Sequence, residues 1–148
     1  MHTLTFEVLA KYDPGDKGIT VPVELSCGLK IVMALPKLDT GSSFCIFQRE
    51  LGEELGLDIE SGIPEQISTP TGSFLAYGHN VLMSALGFQW EVMVYFASIP
   101  EFSRNVLGRY GWMQQLKLGI VDYEGKLYVG RYDADEAPVG ESMARAVD

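Results

Sequence analysis

The sequence is poor in the residues on which most hydrolytic and metal chemistry depends. It holds only two histidines, His2 and His79, and two cysteines, Cys27 and Cys45. So few ligands, so far apart, provide no metal-binding cluster and no Ser/His or Cys/His pair to serve as nucleophile and base. Both cysteines sit in apolar, strand-like segments and read as reduced, buried thiols of a cytosolic protein. Basic residues are also scarce. Eleven Lys and Arg stand against 20 Asp and Glu, for a net charge of −9. That balance argues against nucleic acid or an anionic membrane surface as partner. No apolar stretch reaches the ~20 residues that span a bilayer. The opening Met1–Glu7 lacks the basic start and continuous apolar run of a signal peptide, so the expected location is the cytoplasm. No internal repeat is visible.

What the chain does have is a globular composition. Its 148 residues are 47% hydrophobic, enough for one domain with a proper core. Sixteen glycines and seven prolines predict many turns. Short apolar segments alternate with those turns, which predicts a mainly β fold. Strands are expected over 4–10, 19–26, with Val21, Val23 and Leu25 on one face, and 29–35. Further strands are expected at 44–47, 74–86, 88–96, 117–121 and 126–129. Residues 48–55 have helix-forming composition with Gly56 as a stop, and Glu50, Glu53 and Glu54 read as a solvated face. A second short helix is expected over 110–116. Residues 1–132 are read as one domain and 133–148 as a polar tail without fixed structure.

One tripeptide invites chemistry. Asp39-Thr40-Gly41 lies in a polar turn between apolar runs. Alone it fits a turn equally well, with Asp bonding to the local backbone. Its setting adds more. The hairpin-tip signal Thr69-Pro70-Thr71-Gly72-Ser73 follows, and then Val106-Leu107-Gly108-Arg109.

That ordered set resembles the retropepsin-like aspartic proteases, over roughly residues 4–130. The resemblance implies a closed or partly closed β-barrel with one or two short helices. It also implies an aspartic endopeptidase acting on extended peptides without cofactor or metal. Asp39 would be the catalytic carboxylate, with Thr40 bonding across the site and Gly41 allowing close approach. Ser42 would bond the outer oxygen of Asp39. Pro70, Thr71, Gly72, Ser73 and Phe74 would form a flap over the substrate. Gly108 would pack under the catalytic loop beside Arg109. Viral members often place Asp where this chain has Ser43, so Arg109 lacks its expected partner.

Two carboxylates forced together share a proton, so that one can take a proton from water while the other stabilises the carbonyl oxygen. This chain has one Asp-Thr-Gly and no Asp-Ser-Gly. The resemblance therefore implies a homodimer with one Asp39 from each protomer. The alternative is a non-catalytic, monomeric binding or scaffold domain on the same fold. A third reading is an unrelated β-barrel binding module.

Overall fold

Glycine and proline cut the chain into short extended runs, and the pairing of those runs sets the fold. The computed structural model describes residues 1–134. Its strands are β1 (Val8–Lys11), β2 (Val23–Cys27), β3 (Lys30–Ala34), β4 (Lys37–Leu38), β5 (Ile46–Phe47), β6 (Ile63–Thr69), β7 (Gly72–Ala85), β8 (Phe88–Ala97), β9 (Val106–Leu107), β10 (Leu116–Val121) and β11 (Lys126–Arg131). One α-helix, α1 (Arg49–Glu54), joins them, with single 3-10 turns at Ile59–Ser61, Met113–Gln115 and Asp122–Glu124. The mainly β class expected from the sequence is what forms. The expected tail lies outside the described residues from 135 onward. Among the described residues no helix is long and apolar enough to cross a membrane.

The chain divides into two compact units, one of Met1–Gly15 with the segment from Met113 onward, the other of Asp16–Trp112. The first is built on an antiparallel sheet in the order β1–β11–β10. Its central strand buries Leu127 and Val129. The Tyr12 hydroxyl donates to Asp122 Oδ1 at 2.6 Å, and that bond pushes the phenol up to about 12.

The second unit carries the longer sheet, in the order β3–β2–β7–β8–β5–β9–β4, with β6 on β7. Val21, Val23 and Leu25 are all buried, as the alternation predicts. Only Leu35 and Pro36 separate β3 from β4, yet these strands occupy opposite ends of the sheet. The sheet therefore has to curl. The segment leading into β2 meets β4 where Thr20 bridges Lys37 and where the Leu38 N–H donates to the Ile19 carbonyl at 2.7 Å. The result is a partly closed barrel. Pro36 has no N–H to give a ladder, and its carbonyl accepts instead from Val21 N–H at 3.0 Å.

Helix α1 has six residues, too few to be stable alone. Burial of Leu55 and Gly52 fixes it to the sheet. Arg49 ties it down further. Its guanidinium donates to Glu53 at 2.9 Å, to both oxygens of Glu60 at 2.6 and 2.9 Å, and to the Ser98 carbonyl at 2.9 Å. The Arg49 hydrogen bonds hold the Glu60 carboxyl below its ordinary pKa. A depressed carboxylate pKa adds stability above the unfolded value and loses it as pH falls through the folded one. Glu60→Gln is thus expected to melt below the wild type at pH 7. The gap should close as the pH drops below about 4, the ordinary Glu range. Thermal melts across pH read this directly, and a gap constant with pH would reject the linkage.

Candidate functional site

The site grows from a crossing of two short strands. β4 and β9 run parallel, pairing Lys37 with Val106 and Leu38 with Leu107. The Asp39 N–H extends that pairing by donating to the Leu107 carbonyl at 2.9 Å. The chain then turns through Thr40-Gly41-Ser42 and comes back beside β9. On the return, Arg109 N–H donates to the Ser42 carbonyl at 2.9 Å and Tyr110 N–H to the Ser43 carbonyl at 2.8 Å. The loop carrying Asp39 is thus clasped by the Val106–Tyr110 segment from both sides.

This clasp needs Gly108. A Cβ there would stand 2.2 Å from the Phe44 carbonyl oxygen and 2.7 Å from that of Ser42. Beneath the clasp lies Cys45, fully buried. Its sulfur accepts from Gly108 N–H at 3.4 Å and donates to the Tyr110 carbonyl at 3.5 Å. Burial pushes this thiol up to about 12, so it is a packing group and not a nucleophile. Cys27 is also a free thiol, but it is half-exposed, against the expectation of burial. It ends β2, where the Cys27–Lys30 pair closes a turn rather than facing the core.

Within the loop, Asp39 and Thr40 are exposed. Asp39 Oδ1 accepts from the Gly41 N–H at 2.9 Å, and the Ser42 N–H donates to the Asp39 carbonyl at 3.1 Å. These short-range bonds fix the carboxylate's direction. The Ser42 hydroxyl does not reach Asp39; it donates to the Phe44 carbonyl at 2.7 Å. That carbonyl lies two residues ahead in the same turn and captures the hydroxyl locally.

Asp39 lines a cleft of about 320 Å³. Its other lining residues are Gly41, Ser42, Ile46, Ile67, Ser68, Thr69, Pro70, Phe74, Phe102, Arg104 and Val106. An adjoining recess of about 260 Å³ runs past Gly41 and Ser42 to Ser43, Phe44 and Gln66. The far wall is the β6–β7 hairpin, in register from Ile63↔Gly78 to Thr69↔Gly72 with Pro70 and Thr71 as its turn. Gly72 takes φ +145°, which side-chain-bearing residues rarely adopt. Thr69 Oγ1 donates to the Gly72 carbonyl at 2.9 Å and stiffens the tip. Of the five expected flap residues, Pro70 and Phe74 face the cleft, while Thr71, Gly72 and Ser73 stand exposed at the turn.

The expected Arg109 shows a different use of its side chain. Its guanidinium lies 5.7 Å over the Tyr110 ring, and among the described residues it has no carboxylate partner. Its backbone N–H does the structural work. Two cleft residues were not singled out from the sequence. Phe102 and Arg104 sit in the β8–β9 loop, with Phe102 against Phe74 at 4.7 Å between ring centroids and the Arg104 guanidinium 5.8 Å over Phe102. Asn105 was likewise missed. Its carbonyl accepts from Lys37 N–H and its side-chain oxygen from Gln48 N–H, both at 2.9 Å, which holds β4, β5 and β9 in line. The signal available in the sequence was their place just ahead of Val106-Leu107-Gly108-Arg109.

No protein-family model and no curated protein sequence matches the chain. Solved structures do. The EIAV protease, in complex with the inhibitor HBY-793, superposes with a TM-score of 0.51 at 20% identity, covering 68% of this chain and 88% of that one. The chain therefore has the mainly β, retropepsin-like fold of that retroviral protease.

Proposed function

We propose that this chain is a retropepsin-like aspartic endopeptidase that works as a homodimer, with one Asp39 from each protomer at the shared site. The observation that carries the reading is the placement of Asp39. It is an exposed carboxylate on a clasped, hydrogen-bonded loop, in the wall of a cleft whose opposite wall is a hairpin. The likeness in fold to the EIAV protease supports it.

In this reading the two carboxylates share one proton. The ionised one takes a proton from a bound water, whose oxygen attacks the peptide carbonyl. The protonated one donates to the carbonyl oxygen as the tetrahedral intermediate forms. Collapse of that intermediate breaks the C–N bond, and the amine leaves with a proton from the dyad. No covalent enzyme intermediate arises. The substrate lies extended as an added strand, with its side chains in the recesses on either side of Gly41 and Ser42. The β6–β7 hairpin closes over it and excludes water. Thr40, exposed beside Asp39, bonds across the two-fold axis and holds the two loops together.

Solution mass against concentration, by analytical ultracentrifugation with and without a statine-type transition-state mimic, tests the assembly. A dimer, or a monomer driven to dimer by the mimic, is the expected result. A monomer at every concentration, unmoved by the mimic, would leave a single carboxylate per site and favour the non-catalytic binding domain.

A further inference from the structure

Apolar side chains make up about half of the cleft wall, with Ile46, Ile67, Phe74, Phe102 and Val106 among them. Only two charged side chains line it among the described residues, Asp39 and Arg104. Asp39 is committed to the chemistry proposed above. Arg104 is not, and among the described residues it has no carboxylate partner. The described arginine ion pairs engage Arg49 and Arg131, while Arg104 rests on the face of Phe102. Among the described residues, this exposed arginine stands at the cleft without a carboxylate partner, in a chain of net charge −9. Its stacking on Phe102 orients the guanidinium and leaves its N–H donors free for a ligand.

We infer that Phe102 and Arg104 form a subsite that selects an acidic side chain, glutamate above all, in the bound peptide. The inference rests on the peptidase reading and adds the substrate's charge to it. A glutamate fits both halves of the subsite. Its methylene stem covers the Phe74–Phe102 ring pair, and its carboxylate meets the planar guanidinium. A lysine at the same position meets like charge. Asp39 repels an acid placed close to it, so the preference belongs to the Phe102–Arg104 end of the cleft and not to the scissile carbonyl. In the homodimer the two-fold axis repeats the subsite on the other side of the cleaved bond.

Matched peptides carrying Glu, Gln or Lys, scanned through the positions flanking the cleaved bond, test this with the wild type, Arg104→Gln and Arg104→Glu. The reading in each variant is the ratio of kcat/KM for the Glu and Lys peptides, so that general damage cancels. In the wild type that ratio is expected to be about tenfold in favour of Glu at one position on each side of the bond, as suits a partly exposed charge pair. It should fall toward unity in Arg104→Gln and invert in Arg104→Glu. A ratio near one in the wild type, or one unmoved by both substitutions, overturns the subsite and leaves the peptidase standing. If no peptide is cleaved by the wild type, the peptidase reading fails instead. Binding of the same peptides, read by fluorescence anisotropy, then decides the subsite separately. The same ordering and inversion in Kd support it, and their absence overturns it.

Discussion

Asp39→Asn is expected to abolish peptide cleavage while leaving the fold and the dimer intact. In the homodimer the substitution removes both carboxylates at once, and with them both the general base and the general acid. General acid–base groups each contribute about 10²–10⁴-fold, so kcat should fall by at least ~10⁴-fold. The protein itself should hardly notice. The Asp39 side chain is exposed, and its hydrogen bond is the one accepted by Oδ1 from the Gly41 N–H at 2.9 Å. An asparagine oxygen accepts the same bond. The change in stability should stay within ~0.5 kcal/mol, the usual range for a surface substitution. Replacing the carboxylate pair, which carries one negative charge when it shares a proton, by two neutral amides removes that charge from the axis, so the dimer should be no weaker. Cleavage assays, melting curves and sedimentation on one preparation read all three quantities. Cleavage retained to within tenfold would sink the dyad mechanism, whatever the fold.

The sequence disclosed the strands better than their ends, because hydrophobic alternation speaks for pairing and says little about where a ladder stops. Val21, Val23 and Leu25 were legible as one buried face. The strand predicted over 4–10 forms at Val8–Lys11, where the backbone pairs in register with β11. The helix expected over 48–55 forms at Arg49–Glu54. The one expected over 110–116 does not. Gly111 interrupts it, only a 3-10 turn at Met113–Gln115 remains, and Leu116 already belongs to β10. The Asp-Thr-Gly loop and the Gly72 hairpin were visible as local signals, because turn chemistry is local. Phe102, Arg104 and Asn105 were not. They lie in a loop with no periodicity, and their relation to Asp39 arises only when β9 slots between β4 and β5. The same holds for Ile46 and Ile67, core residues that become part of the cleft wall only once the hairpin is in place.

Gly108 ties that long-range placement to a measurable free energy. Gly108→Ala would put a methyl group 2.2 Å from the Phe44 carbonyl oxygen, with Phe44 carbon and Ser42 oxygen both at 2.7 Å. All three are backbone atoms, so no side chain can swing aside. Either β9 or the Asp39 loop must move, and the two are bound by Asp39 N–H to Leu107, Arg109 N–H to Ser42 and Tyr110 N–H to Ser43. Overpacking of a well-packed core costs about 1–3 kcal/mol, and a clash against fixed backbone belongs at or beyond the upper end. A loss of about 3 kcal/mol corresponds to a fall in Tm on the order of 10 °C for a chain of this size. Gly28→Ala supplies the comparison. Gly28 has φ +61° with open space around its Cβ direction, so alanine there meets only the left-handed backbone penalty of about 1–2 kcal/mol. It also lies in the β2–β3 turn, which contributes nothing to the cleft. Gly108→Ala should therefore melt below Gly28→Ala, and it should lose cleavage at temperatures where it is still folded, because the movement that relieves the clash displaces Asp39. Equal melting temperatures, or full cleavage by the folded Gly108→Ala protein, would show that the loop tolerates the displacement and that the clasp does not position the carboxylate.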